Sequence, residues 1–133
     1  MPFVADKSVV IAWFSRGQAT AYTDRFYKRL EKDEVVVPSV WPYEFANVLA
    51  VLERRKLVTA ALAEEIIRNA ARLVTRIDAP PASPAVLFAL ARRHGLSAYD
   101  AAYLELAQRL GIPLAAKDSP LAAAADKLDL LGA

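Results

Sequence analysis

The sequence predicts an α/β fold in which a parallel sheet is covered by helices on both faces. Two observations predict it. Four short runs read as strands: Phe3-Val4-Ala5, Val35-Val36-Val37, Leu73 to Ile77 and Leu114-Ala115-Ala116. Three of them are apolar throughout rather than alternating, as strands buried on both faces are. Between the runs lie segments with helical periodicity and capping residues, so strands alternate with helices, the order that builds parallel sheets. In such sheets ligands bind outside the carboxyl ends of the strands.

Taken in order, Phe3-Val4-Ala5 ends in Asp6, and Ser8 can cap a helix from Val9 to Phe14 that Gly17 breaks. A second helix, about Ala19 to Lys32, carries Tyr22, Phe26, Tyr27 and Leu30 on one side. Val35-Val36-Val37 is closed by Pro38 and Ser39. Ser39 is placed to cap the helix from Trp41 to Arg55, where Pro42 suits the first turn because its missing N–H costs nothing there. Thr59 caps a helix to Arg72 whose early Glu64 and Glu65 and late Arg68 and Arg72 match the helix dipole. After the strand Leu73 to Ile77, a loop at Pro80-Pro81-Ala82-Ser83-Pro84 leads to a helix from Ala85 to His94, stopped by Gly95. Ser97 is a good N-cap for the next helix, which Gly111 stops. Leu114-Ala115-Ala116 leads to Asp118, Pro120 opens a helix from Leu121 to Lys127, and Leu128 to Leu131 can form a last edge strand.

With 133 residues, the chain is expected to form one domain, 1–133, with a core of useful size. No apolar run is long enough to span a bilayer. The start has no basic region before an apolar stretch, so the expected compartment is the cytoplasm. There are no cysteines, which excludes disulfides and thiolate chemistry, and one histidine, His94, which argues against a His-based metal cluster or a Ser–His–Asp triad. Net charge is +2. Local basic clusters, such as Arg54-Arg55-Lys56 and Arg92-Arg93-His94, read first as solvated helix faces and permit nucleic-acid contact without demanding it. The chemistry must come from carboxylates, hydroxyls, Lys and Arg.

Four carboxylates stand out. Asp6 and Asp118 fall at the carboxyl ends of strands, although either could simply cap the helix that follows. Glu44, with Asn47 at i+3, lies in the first turns of its helix beside the apolar stripe of Phe45, Val48 and Leu52. Asp100 has Tyr103, Leu104 and Ala107 at i+3, i+4 and i+7, which puts it on the margin of the face that should be buried. An acid there is costly unless something satisfies it, although a first-turn acid is also favoured by the dipole. If Asp6, Glu44, Asp100 and Asp118 converge, their repulsion calls for a cation. Oxygen-only ligands select Mg²⁺ or Mn²⁺ rather than Zn²⁺. Such a site suits phosphodiester hydrolysis. Ser8 could hold an acid or a metal-bound water in place.

The stretch Leu96-Ser97-Ala98-Tyr99-Asp100-Ala101-Ala102-Tyr103-Leu104-Glu105-Leu106-Ala107 resembles the third acidic motif of PIN-domain ribonucleases, in particular VapC-type toxins of toxin–antitoxin pairs. Val4-Ala5-Asp6-Lys7-Ser8, Glu44-Phe45-Ala46-Asn47 and Leu114-Ala115-Ala116-Lys117-Asp118 resemble the family's other three motifs in order and spacing. One departure is Ala116, where many members carry Thr or Ser; Lys117 beside it could contact phosphate or face solvent. The resemblance implies a three-layer α/β/α sandwich and a Mg²⁺-dependent endoribonuclease acting on RNA, with Asp6, Glu44, Asp100 and Asp118 as catalytic metal ligands. Ser8, Asn47, Ser97 and Lys117 would support them. It also implies a homodimer and a cognate antitoxin protein.

Two other readings stay open: a PIN-fold RNA- or protein-binding module with a weak or inactive site, and a receiver-like Mg²⁺-binding signalling domain. The second needs a phosphoacceptor Asp where the chain has Pro38-Ser39. The helices Trp41 to Arg55 and Thr59 to Arg72 should stand as a hairpin with surplus apolar surface at Trp41, Tyr43, Val51, Leu57, Val58, Leu62 and Ile66. A surplus of that kind favours burial against a partner.

Overall fold

The computed structural model describes residues 1–78, 83–117 and 119–133. Its centre is a four-stranded parallel sheet in the order β3-β2-β1-β4, built from β1 (Phe3–Ala5), β2 (Val35–Pro38), β3 (Arg76–Asp78) and β4 (Leu114–Ala115). β1, β2 and β4 are buried along their whole length. That is why their sequences are apolar at every position rather than every second one. β3 is the edge strand on one side of the sheet and exposes Arg76 and Ile77. It begins later than the apolar run suggests, because the preceding helix extends to Leu73 and the Val74 amide still donates to Ala70 O, 2.8 Å. The expected last edge strand reduces to a single parallel bridge between Leu114 and Leu131.

Helices connect the strands and cover the sheet on both sides, giving the α/β/α sandwich. α1 (Lys7–Phe14) packs against α2 (Ala21–Arg29), α3 (Trp41–Arg54) and α4 (Ala60–Leu73). On the other side α6 (Ala98–Leu110) lies on β1 and β2, between α5 (Pro84–His94) and α7 (Pro120–Lys127). α5 and α6 each end on a glycine, Gly95 and Gly111, with φ of 65°. A side chain would strain that left-handed position.

The caps sort the expectations. Thr59 and Ser97 cap α4 and α6 through Leu62 N and Asp100 N, each 3.1 Å from the hydroxyl. Ser119 caps α7 through Ala122 N, also 3.1 Å. Ser39 does not cap α3, whose N-cap residue is Val40 without a side-chain bond. Ser8 does not cap α1 either; it lies inside that helix, and Asp6 stands at the N-cap with no side-chain capping bond. The predicted loop over 80–84 and the predicted ligand Asp118 lie wholly or partly outside the described residues. α3 and α4 do pack as a hairpin. Two of the residues expected in its apolar surplus, Trp41 and Ile66, belong to the core instead, while Tyr43, Leu57 and Leu62 are exposed. Trp41 is held by a stacked Phe45 ring, 4.7 Å between centroids.

Candidate active site

The strand order reverses at β1, since β2 and β3 lie on one side of it and β4 on the other. That switch point is where an open parallel sheet leaves a crevice at its carboxyl edge. Asp6 follows β1 directly, and its amide donates to Ala115 O of β4, 3.0 Å, so the backbone fixes it at the crevice. Its carboxylate is buried. Ser8, the second residue of α1, donates to Asp6 Oδ2, 2.7 Å. Of the roles expected for Ser8 (cap of α1, holder of an acid or holder of a metal-bound water), the hydrogen bond shows it holding the acid.

Glu44 enters from the first turn of α3 and Asp100 from the first turn of α6. Both are half-buried. All three acids meet at one point, the ammonium of Lys7. Lys7 Nζ lies 3.6 Å from Asp6 Oδ1, 3.3 Å from Glu44 Oε2 and 3.6 Å from Asp100 Oδ1. It also sits 5.9 Å from the centroid of the Tyr103 ring. Sequence reasoning missed Lys7. The structure shows why it matters: Lys7 opens α1, two residues before the expected helix start, and a cation is unfavourable at that end of a helix dipole, so the acids must hold it there.

The electrostatics follow from burial and like charge. Burial raises the Glu44 carboxyl above its usual range; Lys7 pulls it back, and Asp100 pushes it up. Burial alone would lower Lys7, but the charges of Asp6, Glu44 and Asp100 outweigh it and hold the ammonium above its ordinary value. Tyr103 is raised strongly, first by burial and then by the charges of Glu44, Asp6 and Asp100. Its hydroxyl lies beside Glu44, yet neither that hydroxyl nor Glu44 Oε1 is in hydrogen-bond geometry with any described group. Asp6 Oδ1 is likewise buried without a hydrogen bond.

Donor chemistry and unpartnered buried oxygens fit a hard divalent cation. Among the described residues no three acids stand close enough together to ligate one ion, and the ammonium of Lys7 lies between Asp6, Glu44 and Asp100. A cavity of about 410 Å³ opens on this point, bordered by Asp6, Lys7, Ser8, Asp100 and Lys117. Lys117 donates to Gln18 O, 2.7 Å, which anchors it at the rim. Ser97 acts as the cap of α6 rather than as a site group. Asn47 is exposed on α3 and is not brought to the cavity. Another cavity, about 310 Å³, is lined by Tyr43 and Tyr99, the residues that precede Glu44 and Asp100 in sequence, which are 78% and 61% exposed; the three acids themselves do not line it.

A parallel sheet with carboxylates gathered at its switch point defines the class, an α/β protein with an acid-lined crevice suited to phosphoryl chemistry. The chain belongs to the PIN-domain family, whose model matches residues 3–127. PIN domains are generally nucleases and typically use divalent metals, and this membership replaces the receiver-like reading. Among solved structures, the crystal structure of PAE2754 from Pyrobaculum aerophilum is similar with a TM-score of 0.70. The two sequences are 23% identical, and the match covers 93% of this chain and 79% of that one, a likeness of fold. Comparison with curated proteins finds no match.

Proposed function

We propose that this chain is a Mg²⁺-dependent endoribonuclease, with Mn²⁺ able to substitute, and the toxin of a type II toxin–antitoxin pair of the VapC kind. The observation that carries the nuclease reading is the convergence of Asp6, Glu44 and Asp100, from three separate elements, with Asp6 Oδ1 and Glu44 Oε1 buried and without a hydrogen bond. An idle cluster of that kind only costs stability. Asp6, Glu44 and Asp100 would hold the ion, with Asp118 as a fourth acid. A bound divalent cation supplies an activated water and charge stabilisation at the scissile phosphate.

The chain's own residues do the rest. Ser8 fixes Asp6 Oδ2 and so leaves Oδ1 directed at the cation. Lys117, at the cavity rim, is placed to meet a phosphate oxygen. Tyr43 and Tyr99 offer exposed rings on which unpaired bases stack, the usual way single-stranded RNA is held. The toxin role rests on the motif resemblance. It adds two partners: a second copy of the chain, and an antitoxin whose segment lies as an amphipathic helix in a groove and brings a cation to the three acids. That cation would have to displace Lys7.

A second reading, a PIN module that binds RNA or protein without cleaving, is favoured by one observation: Lys7 already neutralises part of the cluster. The test is cleavage of a single-stranded RNA by purified protein with Mg²⁺ and with EDTA. Cleavage only with Mg²⁺ supports the enzyme. RNA binding without cleavage at any Mg²⁺ or Mn²⁺ concentration supports the module.

A further inference from the structure

Lys7 stands where the cation of the proposed site would stand. Its contacts of 3.3 to 3.6 Å to Glu44, Asp6 and Asp100 are longer than the roughly 2.7–2.9 Å of a close charge-assisted hydrogen bond. The ammonium is thus held between three charges rather than fastened to one. It is held there from the first residue of α1, against the helix dipole. Asp6 Oδ1, which faces the ammonium, and the second Glu44 oxygen, Oε1, are both buried without a hydrogen bond.

We propose that Lys7 is a tethered cation holding the metal position: it keeps Asp6, Glu44 and Asp100 assembled in the metal-free protein and must leave before a divalent cation can bind between them. The inference rests on the reading of these acids as metal ligands and describes how that same site is regulated. Three carboxylates around one ammonium leave the cluster net negative, so a dication is favoured there once its concentration is high enough. Lysine suits the exchange, because its charge is compact and its four-carbon stem is flexible. The cavity of about 410 Å³ beside it gives the displaced ammonium a place to go. The consequence is a trade. The metal-free protein is spared the full repulsion of three acids, and metal binding is weakened because Lys7 must be displaced.

The experiment titrates Mn²⁺ alone, without RNA, into wild-type protein and Lys7→Met by calorimetry, with thermal melts in EDTA and in Mn²⁺. Competition between two cations for one site predicts that Lys7→Met binds Mn²⁺ about tenfold more tightly or better, within the usual range of coupling between ligands. The variant should melt below wild type in EDTA and gain more in melting temperature on adding Mn²⁺. Should Lys7→Met fail to fold, Lys7→Gln replaces it, with Lys7→Arg as the charge-keeping control that retains wild-type affinity. Equal or weaker Mn²⁺ affinity in the charge-free variants overturns the competition while leaving the metal site standing. Absence of Mn²⁺ binding in both wild type and variant overturns the metal site itself, and the competition with it.

Discussion

Ser8 and Lys7 show how one residue on each side of a carboxylate changes what that carboxylate can do. Ser8 takes one oxygen of Asp6 in a 2.7 Å hydrogen bond, and Lys7 faces the other at 3.6 Å. Supporting hydrogen bonds to a metal ligand are worth roughly 10–100-fold in metal affinity. Ser8→Ala should therefore weaken Mn²⁺ binding by about tenfold or more, read by titration, while the fold loses only about 1 kcal/mol. Asp6→Asn, Glu44→Gln and Asp100→Asn each remove one negative charge from a cluster in which three acids face one ammonium. Their melting temperatures in EDTA should equal or exceed wild type, because repulsion is relieved and Lys7 keeps two partners. A loss of several degrees in calorimetry would assign the acids a structural role instead. Asp6, Glu44 and Asp100 were legible in the sequence because each sits at a strand end or in a first helical turn beside apolar neighbours. Lys7 was not, because a lysine at a helix start looks solvated until the partners from α3 and α6 are in place.

Elements differ in how plainly the sequence shows them. β1 and β2 were readable because a strand buried on both faces leaves an unbroken apolar run. β3 was shifted because an outer strand tolerates Arg76 and Asp78, so hydropathy does not mark its ends. The capping box of α2, in which Thr20 and Thr23 exchange bonds, was missed, since both caps are threonines rather than the usual Ser/Thr–Glu pair. α2 also carries the tie to the chain's last residues: Tyr22 donates to Gly132 O, 3.0 Å, and accepts from Ala116 N, 3.3 Å. Burial raises the Tyr22 phenol above its ordinary 10.0, against the opposing pull of the Ala116 amide and Arg25. The folded chain therefore keeps this proton where the unfolded chain has lost it, and stability falls as pH rises above about 10. Tyr22→Phe should cost about 1–2 kcal/mol at neutral pH and flatten that alkaline fall, both read from melts across pH. On the substrate side, Tyr43→Ala and Tyr99→Ala each remove one exposed ring beside an acid. Stacking is worth roughly 1–3 kcal/mol per base, so KM for single-stranded RNA should rise several-fold or more with kcat retained. An unchanged KM in both variants would free this cavity from the RNA path.

At the scale of the whole molecule, alternating elements made the covered parallel sheet predictable, but the order β3-β2-β1-β4 was not, because each pairing joins segments far apart in sequence. That order is what creates the crevice beside β1 and lets acids from positions 6, 44 and 100 share one point. The α3–α4 hairpin leaves Leu57, Leu62 and Ile67 exposed, and the proposed homodimer would cover such apolar side chains. Light scattering on the isolated protein at tens of micromolar should report a dimer mass; a monomer mass would discard that assembly. In the proposed function, three acids from three elements carry metal-dependent RNA cleavage. That role is tested most directly by single-turnover cleavage of one single-stranded RNA by wild type and Asp100→Asn from matched preparations, across a Mg²⁺ titration and after EDTA. A lost metal contact worth several kcal/mol at the transition state corresponds to about a hundredfold or more in rate. Cleavage should therefore rise with Mg²⁺, stop in EDTA, return with Mg²⁺ or Mn²⁺ but not with Zn²⁺ alone, and fall by about that factor in Asp100→Asn. Cleavage undiminished by EDTA, or equal in Asp100→Asn, would contradict that role.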